Sequence, residues 1–392
     1  MEKTERLRVY YKRRKVGTLA LHQKALAAFA YEKEWLAEGF SISPFSLPLR
    51  QQVFIPKPEP FGGIFGVFAD SLPDGWGRLL VDRMLARNRI DPGGVGNLDR
   101  LAIVGKSGMG ALTYTPEIKL ERKESAPDLD RIAADCAAVL RTGRADDLDE
   151  LFRLGGSSGG ARPKILTKVD GEDWIVKFPS ASDGKEIGLQ EYEYSLCAKA
   201  CGIEMAETRL FPSACCAGYF GTRRFDRRQG DKEAERVHMV SVSGLLETSH
   251  RIPNLDYDLL MKLTLELTRS YTEIEKLYRL MCFNVFAHNR DDHSRNFSFL
   301  YEEKQGGWRL APAYDLTFSY SLGGEHATSV HGNGATPELG DLLAVAGEIG
   351  LDLKKAKRIA KDVRECVHER LRKYLKAQFG GTGYEFGKKP EA

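Results

Sequence analysis

His288-Asn289-Arg290-Asp291-Asp292-His293-Ser294-Arg295-Asn296 is the stretch that decides how this chain is read, with Asp315 of Tyr314-Asp315-Leu316 nineteen residues beyond Asn296. Asn296-Phe297-Ser298-Phe299-Leu300 alternates towards a short buried strand, Glu302 to Gly307 has the composition of a turn, and Trp308-Arg309-Leu310 returns as a second strand. This hairpin is predicted to deliver Asp315 beside Asn296, so that two ligands distant in sequence share one cation. Two adjacent acids compete for the position upstream: Asp291 stands five residues before Asn296 and Asp292 four. Alone, Asp-Asp-His-Ser-Arg-Asn also fits a polar loop with helix-capping residues, so partners elsewhere in the chain must decide.

In the pattern H-R-D-x-x-x-x-N of protein kinases, the Asp meets the substrate hydroxyl, the Asn binds Mg²⁺ and a later Asp binds Mg²⁺ as well. That spacing selects Asp291 as the catalytic carboxylate and assigns Asn296 and Asp315 to the metal. Phosphoryl transfer needs such parts because the crowded negative charge of ATP must be neutralised while a carboxylate orients the incoming hydroxyl. The nucleotide half has candidates upstream. Lys177 in Trp174-Ile175-Val176-Lys177-Phe178-Pro179 sits in an apolar strand, where a charge needs a partner or a ligand. A predicted helix, Leu189 to Ala198, offers Glu191 or Glu193 as its ion-pair partner. Leu154-Gly155-Gly156-Ser157-Ser158-Gly159-Gly160-Ala161-Arg162-Pro163-Lys164 lets the backbone approach phosphates closely, although it fits neither G-x-G-x-x-G nor G-x-x-x-x-G-K-[ST].

The 392 residues suffice for two or three domains, and 42 % hydrophobic content permits a packed core. A net charge of +3 is too slight to argue for nucleic-acid binding. Seven cysteines without a C-x-x-C pair argue against a zinc site and a disulfide framework and fit a reducing cytosol. The charged N-terminus, and the lack of any apolar run near the roughly 20 residues that span a bilayer, give a soluble, cytoplasmic protein with no membrane partner as the expectation.

The expected fold class is α+β. Residues 1–120 form a mixed α/β subdomain that begins with a hairpin around Lys12 to Lys15 and contains a helix from about Trp76 to Asn88. Residues 117 to 130 have linker composition. Residues 121–250 form a β-rich small lobe that starts with a helix from Leu129 to Thr142. Residues 251–380 form a helical large lobe that carries the catalytic hairpin and ends in one amphipathic helix from Asp341 to about Gln378. Residues 381–392 are a flexible tail.

Taken in order, the loop, Lys177, Asp291, Asn296 and Asp315 resemble the HipA family of bacterial serine/threonine kinases, the toxins of HipBA toxin–antitoxin pairs. Val9-Tyr10, Val16-Gly17, Ser46-Leu47-Pro48-Leu49, Leu72-Pro73-Asp74 and Gly110-Ala111-Leu112-Thr113 look like that family's N-terminal subdomain. Gly160-Ala161-Arg162-Pro163-Lys164, Gln190-Glu191-Tyr192, Phe225-Asp226-Arg227, Asp291-x-His293-x-x-Asn296-Phe297 and Tyr314-Asp315 look like its kinase motifs. The resemblance implies a two-lobed protein-kinase-like fold, ATP with Mg²⁺, and a preference for Glu191 as the ion-pair partner of Lys177. Expected ATP contacts are Lys177, Gly159, Gly160, Lys164, His293 and a candidate hinge strand, Val237 to Ser241, with Met239, Val240 and Ser241 meeting the adenine. Asp226 and Arg227 are expected to brace the small lobe.

The resemblance also implies autophosphorylation of a loop serine, which ejects the loop and silences the enzyme. Counting back from Lys164 gives Ser157, with Ser158 as the alternative. It implies a protein substrate, among which the family counts an aminoacyl-tRNA synthetase. It further implies a small HipB-like helix-turn-helix antitoxin, through which any DNA contact would be indirect. Asp292 stands where the family has Gly, and the loop is richer in Gly; both departures bear on the substrate more than on the chemistry. A small-molecule kinase on the same scaffold, or a regulatory partner of a DNA-binding antitoxin, are the rival expectations.

Overall fold

The structure is a computed structural model that describes residues 3–118, 128–142, 148–157, 159–230, 234–320 and 322–378. The alternative loop serine, Ser158, most of the expected linker and the expected tail lie outside these residues. The chain divides into two compact units. The first holds residues 1–189, 206–252 and 294–311, and the second residues 190–205, 253–293 and 312–392.

The first unit opens with a five-stranded antiparallel sheet in the order β4-β3-β2-β1-β5. In β1 (Arg6–Tyr11) Leu7, Val9 and Tyr11 point inward while Arg6 and Arg8 face solvent, the period-two pattern of a half-buried strand. Lys12, at a φ of 55°, turns the chain into β2 (Arg14–His22), as the sequence predicts. β3 (Leu26–Tyr31), β4 (Val53–Phe54) and β5 (Leu112–Thr115) complete the sheet. Four helices fall between its strands in sequence: α1 (Lys33–Glu38), α2 (Gly66–Ala69), α3 (Gly75–Arg87) and α4 (Asn97–Val104).

After α5 (Leu129–Thr142) and α6 (Leu148–Gly155), a second antiparallel sheet is ordered β6-β7-β9-β8, from β6 (Lys164–Val169), β7 (Glu172–Lys177), β8 (Thr208–Phe211) and β9 (Tyr219–Arg223). One core joins this sheet to the helices: Trp76, Leu80 and Met84 of α3, Ile132 and Val139 of α5, and Leu151 of α6 pack with Ile165, Val176 and Tyr219. Each fully buried Leu, Ile or Val there contributes roughly 1.5–3 kcal/mol. A short ladder of β10 (Arg227–Arg228) and β11 (Glu235–Arg236) leads to a third sheet, β12-β14-β15. Its strands are β12 (Met239–Ser241), β14 (Ser298–Glu302) and β15 (Gly307–Leu310), the last two being the predicted catalytic hairpin. The helix α8 (Val242–Leu246) follows β12.

The second unit is mostly helical. The helix α7 (Ile187–Ala200) enters it at Gln190 and is followed there by α9 (Tyr257–Thr268), α10 (Tyr271–Phe286), α11 (Leu339–Glu348) and α12 (Leu353–Gln378). A short parallel ladder joins β13 (Leu255–Asp256) to β16 (Thr328–Ser329). Along α12, Ile359, Val363, Val367, Leu371 and Leu375 recur at four-residue intervals and are buried, as the amphipathic stripe requires.

The sequence predicts one terminal helix, and the structure has two. Gly350, at a φ of 77°, ends α11 in the left-handed conformation, and the side chain of Asp352 accepts a hydrogen bond from the Lys355 N–H to start α12. Two further boundaries differ. The helix α6 runs into Gly155, at the start of the expected glycine loop, and the candidate hinge strand is three residues long instead of five.

Candidate active site

In the first unit the β6–β7 register sets Lys164 directly opposite Lys177, and both are 8 % exposed. The Lys177 ammonium lies 5.5 Å from the ring centre of Phe220. Residues directly opposite in an antiparallel pair project to the same face, so both lysine side chains leave the ladder on one side. Lys164 reaches back under the glycine loop, since a Cβ on Gly160 would lie 2.6 Å from its Nζ. Gly160 has a φ of 84°, which favours glycine.

The loop is clasped by the Asp74-Gly75-Trp76 corner. Gly160 N–H donates to the Asp74 carboxylate, and Trp76 N–H donates to the Gly160 carbonyl at 2.9 Å. Trp76 Nε1 donates to the Lys164 carbonyl at 3.1 Å. Gly75 is needed for this approach, because a Cβ there would meet the Gly160 oxygen at 2.4 Å. The Ser157 hydroxyl donates to the Ser107 carbonyl at 3.2 Å. Gly159 lies beside Asp74 as well, its would-be Cβ 3.1 Å from the carboxylate.

The catalytic segment is tied to the same corner. Arg295 pairs with Asp74, donates to the Ala69 carbonyl at 3.1 Å, and stands 3.9 Å from Asp70. Asp70 in turn accepts from the Ser241 N–H and hydroxyl, each at 2.7 Å. Burial pushes the Asp70 carboxyl up, against the pull of Arg295 and the two Ser241 bonds. Met239, Val240 and Ser241 pair with Leu300, Phe299 and Ser298 of β14. The Ser241 amide is thus taken by Asp70, and Val240 lies in the ladder with Phe299 of β14. Asn296 precedes β14 by two residues.

Farther along the unit Asp226 is fully buried. It holds Arg224 at 2.7 Å and Arg227 at 2.8 Å and accepts from the Gly110 N–H at 2.7 Å. Arg227 and Arg236 donate to the carbonyls of Gly108 and Gly110. Burial would raise the Asp226 carboxyl, yet Arg224 and Arg227 hold it well below the usual carboxylate range. The bracing expected of Asp226 and Arg227 is therefore directed at the Gly108–Gly110 corner.

In the second unit the two adjacent acids have opposite environments. Asp292 is 1 % exposed; it accepts from the Tyr257 hydroxyl at 2.9 Å and the Thr328 N–H at 3.2 Å, and His326 Nδ1 lies at 3.1 Å. The chain of bonds continues from Tyr257 to Asn284 and on to Asn289, each at 2.9 Å. The Asp291 side chain is 61 % exposed, with His293 Nε2 3.9 Å away. Asp315 adopts a φ of 57°, a left-handed conformation that costs a non-glycine residue about 1 kcal/mol or more and that clusters at functional sites. Glu191, on α7, is 2 % exposed, whereas Glu193 pairs with Lys373 at 2.6 Å on the surface. Lys177 and Asn296 thus belong to the first unit, and Glu191, Asp291, His293 and Asp315 to the second.

Two buried histidines bring a pH dependence. Burial lowers His238, whose Nε2 is 2.8 Å from the Ile42 carbonyl, to about 4. Burial, with Arg290 and His326 nearby, lowers His288 to about 4. An unfolded histidine takes up its proton near pH 6.5, so between about 6.5 and 4 the unfolded chain binds more protons than the folded one. Stability is expected to be full above pH 6.5 and to fall as pH drops towards 4. Each site contributes up to about 3 kcal/mol to that fall. Urea unfolding at pH 7 and pH 5 measures the difference, and equal midpoints would contradict it.

Sequence reasoning missed Asp70, Asp74, Trp76 and Arg295. Leu72-Pro73-Asp74 was visible as a motif, but nothing in it announces a partner more than eighty residues away. Among the described residues no helix is long and apolar enough to cross a membrane.

Comparisons with known proteins bear on the family and the fold. The model of the HipA N-terminal domain matches residues 7–115, and that of the HipA-like C-terminal domain matches residues 156–371. The Sinorhizobium fredii protein named "Putative kinase Y4mE" is 28 % identical over 346 residues, covering 79 % of this chain and 76 % of that protein. A second from the same organism, "Putative kinase Y4dM", is 24 % identical over 322 residues, covering 77 % and 74 %. The HipA of Shewanella oneidensis MR-1, solved with HipB and its operator DNA, superposes with a TM-score of 0.69 at 18 % identity over 94 % of this chain and 90 % of that one. The fold is accordingly kinase-like, and the chain belongs to the HipA family.

Proposed function

We propose that this chain is an ATP- and Mg²⁺-dependent kinase that phosphorylates serine or threonine on a cellular protein, as a HipA-type toxin. The observation that carries the proposal is the buried Lys164–Lys177 pair set across one ladder beneath a clasped glycine loop. Two ammonium groups in that position suit the phosphates of ATP. The carboxylate of Asp315 and the amide oxygen of Asn296 are hard oxygen donors that fit Mg²⁺. When bound, the metal supplies neutralisation of charge on the transferred phosphoryl group. Lys177 would donate to phosphate oxygens. Asp291 would accept the proton of the acceptor hydroxyl as its oxygen forms the new bond to the γ-phosphorus, while the bond from that phosphorus to the β-phosphate oxygen breaks and ADP leaves. His293 would steady the Asp291 segment. A HipB-like antitoxin is the proposed partner, supported by the family and by the Shewanella complex. DNA contact would run through that partner.

The test is incubation of purified protein with Mg²⁺ and γ-labelled ATP, alone and with a cell extract, beside the Asp291→Ala variant. Transfer of label to protein by the wild type alone supports the proposal. Label on metabolites but never on protein would favour a small-molecule kinase. No label from protein whose intact mass shows it unphosphorylated would reject kinase activity.

The loop has its own test. Ser157 is half-buried and donates to Ser107, so a phosphate there, with about −1.5 to −2 charge, cannot keep the same seat. Autophosphorylation on Ser157 is expected to release the loop and weaken ATP binding. Intact mass after ATP addition should show no added phosphate on the loop of Ser157→Ala; undiminished loop labelling would assign the event to another residue.

A further inference from the structure

Three of the seven cysteines meet inside the second unit. Cys197 lies on α7, Cys201 one residue past its end, and Cys366 on α12. Their Sγ atoms all lie within 4.8 Å of one another. Cys197 is 1 % and Cys201 5 % exposed, while Cys366 is half-buried. Cys136 and Cys282 are buried and stand outside this group, and Cys215 and Cys216 are nearer the surface.

Buried cysteine often serves only as a small apolar filler, but filler does not require three sulfurs to converge. A metal–thiolate bond is about 2.3 Å long, so three thiolates around one ion stand about 4 Å apart. The trio needs to close by less than about 1 Å to reach that geometry. The charge balance agrees. Three thiolates carry more negative charge than one mono- or divalent cation cancels. Without a metal, hydrogen bonding to Cys197 and burial push the Cys201 thiol up, and burial pushes Cys366 up to about 11; Arg279, whose Nη1 donates to the Cys201 carbonyl at 3.0 Å, and Arg370 act the other way and would offset the surplus charge of a loaded site. The absence of C-x-x-C argues against zinc only for loop-borne sites. On a helix, ligands four residues apart share a face, as Cys197 and Cys201 do.

We propose that Cys197, Cys201 and Cys366 form a three-thiolate site for a thiophilic closed-shell cation, Zn²⁺ or Cu⁺, that ties the end of α7 to α12. Each thiol releases its proton to solvent as its sulfur takes the metal, so affinity rises with pH. The half-buried side at Cys366 leaves room for a water as fourth ligand of zinc, whereas copper would need only the three sulfurs. Neither the site nor its test depends on kinase activity.

The experiment is titration of reduced, chelator-stripped full-length protein with Cd²⁺, followed by the ultraviolet thiolate-to-metal charge-transfer band, with Zn²⁺ and Cu⁺ as competitors. The expected result is saturation at one equivalent, an intensity matching three thiolates, and a Tm that rises on loading. Cys366→Ser should weaken binding more than about 100-fold, while the double variant Cys215→Ser/Cys216→Ser should match the wild type. If Cys366→Ser does not fold, X-ray absorption on the zinc-loaded wild type decides, with three sulfur neighbours at about 2.3 Å expected. No saturable band, a band that depends on Cys215 and Cys216, or fewer than three sulfur neighbours overturns the proposal. The stronger competitor identifies the ion.

Discussion

Asp291→Asn is expected to lower the rate of phosphate transfer about 10²–10⁴-fold, the range associated with one positioned general base, while leaving nucleotide affinity nearly unchanged. Asparagine keeps the shape and removes the basic oxygen. Asp291 is the candidate because its carboxylate is exposed, whereas its neighbour is spent on structure. Asp292→Asn makes the contrast. It replaces an acceptor of several buried donors with a group that must turn one donor of its own towards them, so it should lower thermal stability first. Single-turnover kinetics and thermal melts on both variants separate the roles. A folded Asp292→Asn with no turnover, beside an active Asp291→Asn, would reverse the assignment.

Asp226→Ala is expected to cost about 3–5 kcal/mol, the penalty for breaking a buried ion pair by removing one partner. The magnitude follows from what remains. Arg224 and Arg227 lose their carboxylate, and the Gly110 N–H loses its acceptor. Burial already lowers Arg227 to about 9 and Arg236 to about 10, so the cluster has no spare compensation for positive charge. Carbonyls of Gly108 and Gly110 still receive some guanidinium donors, which keeps the loss below that of isolated buried charges. Denaturant unfolding of the wild type and the variant gives the number. A loss under about 1 kcal/mol would mean that water replaces the carboxylate.

The hairpin from Ser298 to Leu310 and the β1–β2 hairpin were legible because alternation and turn residues act over a few neighbours. The helix α5 was legible for the same reason, its apolar spacing being local. The break between α11 and α12 was not. Ile349, Leu351 and Leu353 extend the apolar composition through Gly350, and only its left-handed φ, set by the local cap, stops the helix. In the candidate site, motif spacing singled out Lys177, Asp291, Asn296 and Asp315, because phosphoryl transfer asks for those residue types in that order. Their settings were invisible. That Asp74 and Trp76 would hold Gly160, or that Asp70 would occupy Ser241, depends on contacts between segments far apart in the chain, to which periodicity is blind. The cysteine trio shows the same limit, with Cys366 lying well over a hundred residues beyond its partners.

The clasp of the glycine loop bears on how this polypeptide could be divided. A chain severed between residues 118 and 128 would leave Asp70, Asp74 and Trp76 on one fragment and Gly160, Lys164, Arg295 and Ser241 on the other. Gly110 would likewise part from Asp226. Each fragment alone would expose an apolar face and a set of unmatched charges. The two halves are thus obligate co-folders, and exchanging the first 115 residues for those of a distant relative would be a graft across an interior, not a swap of modules.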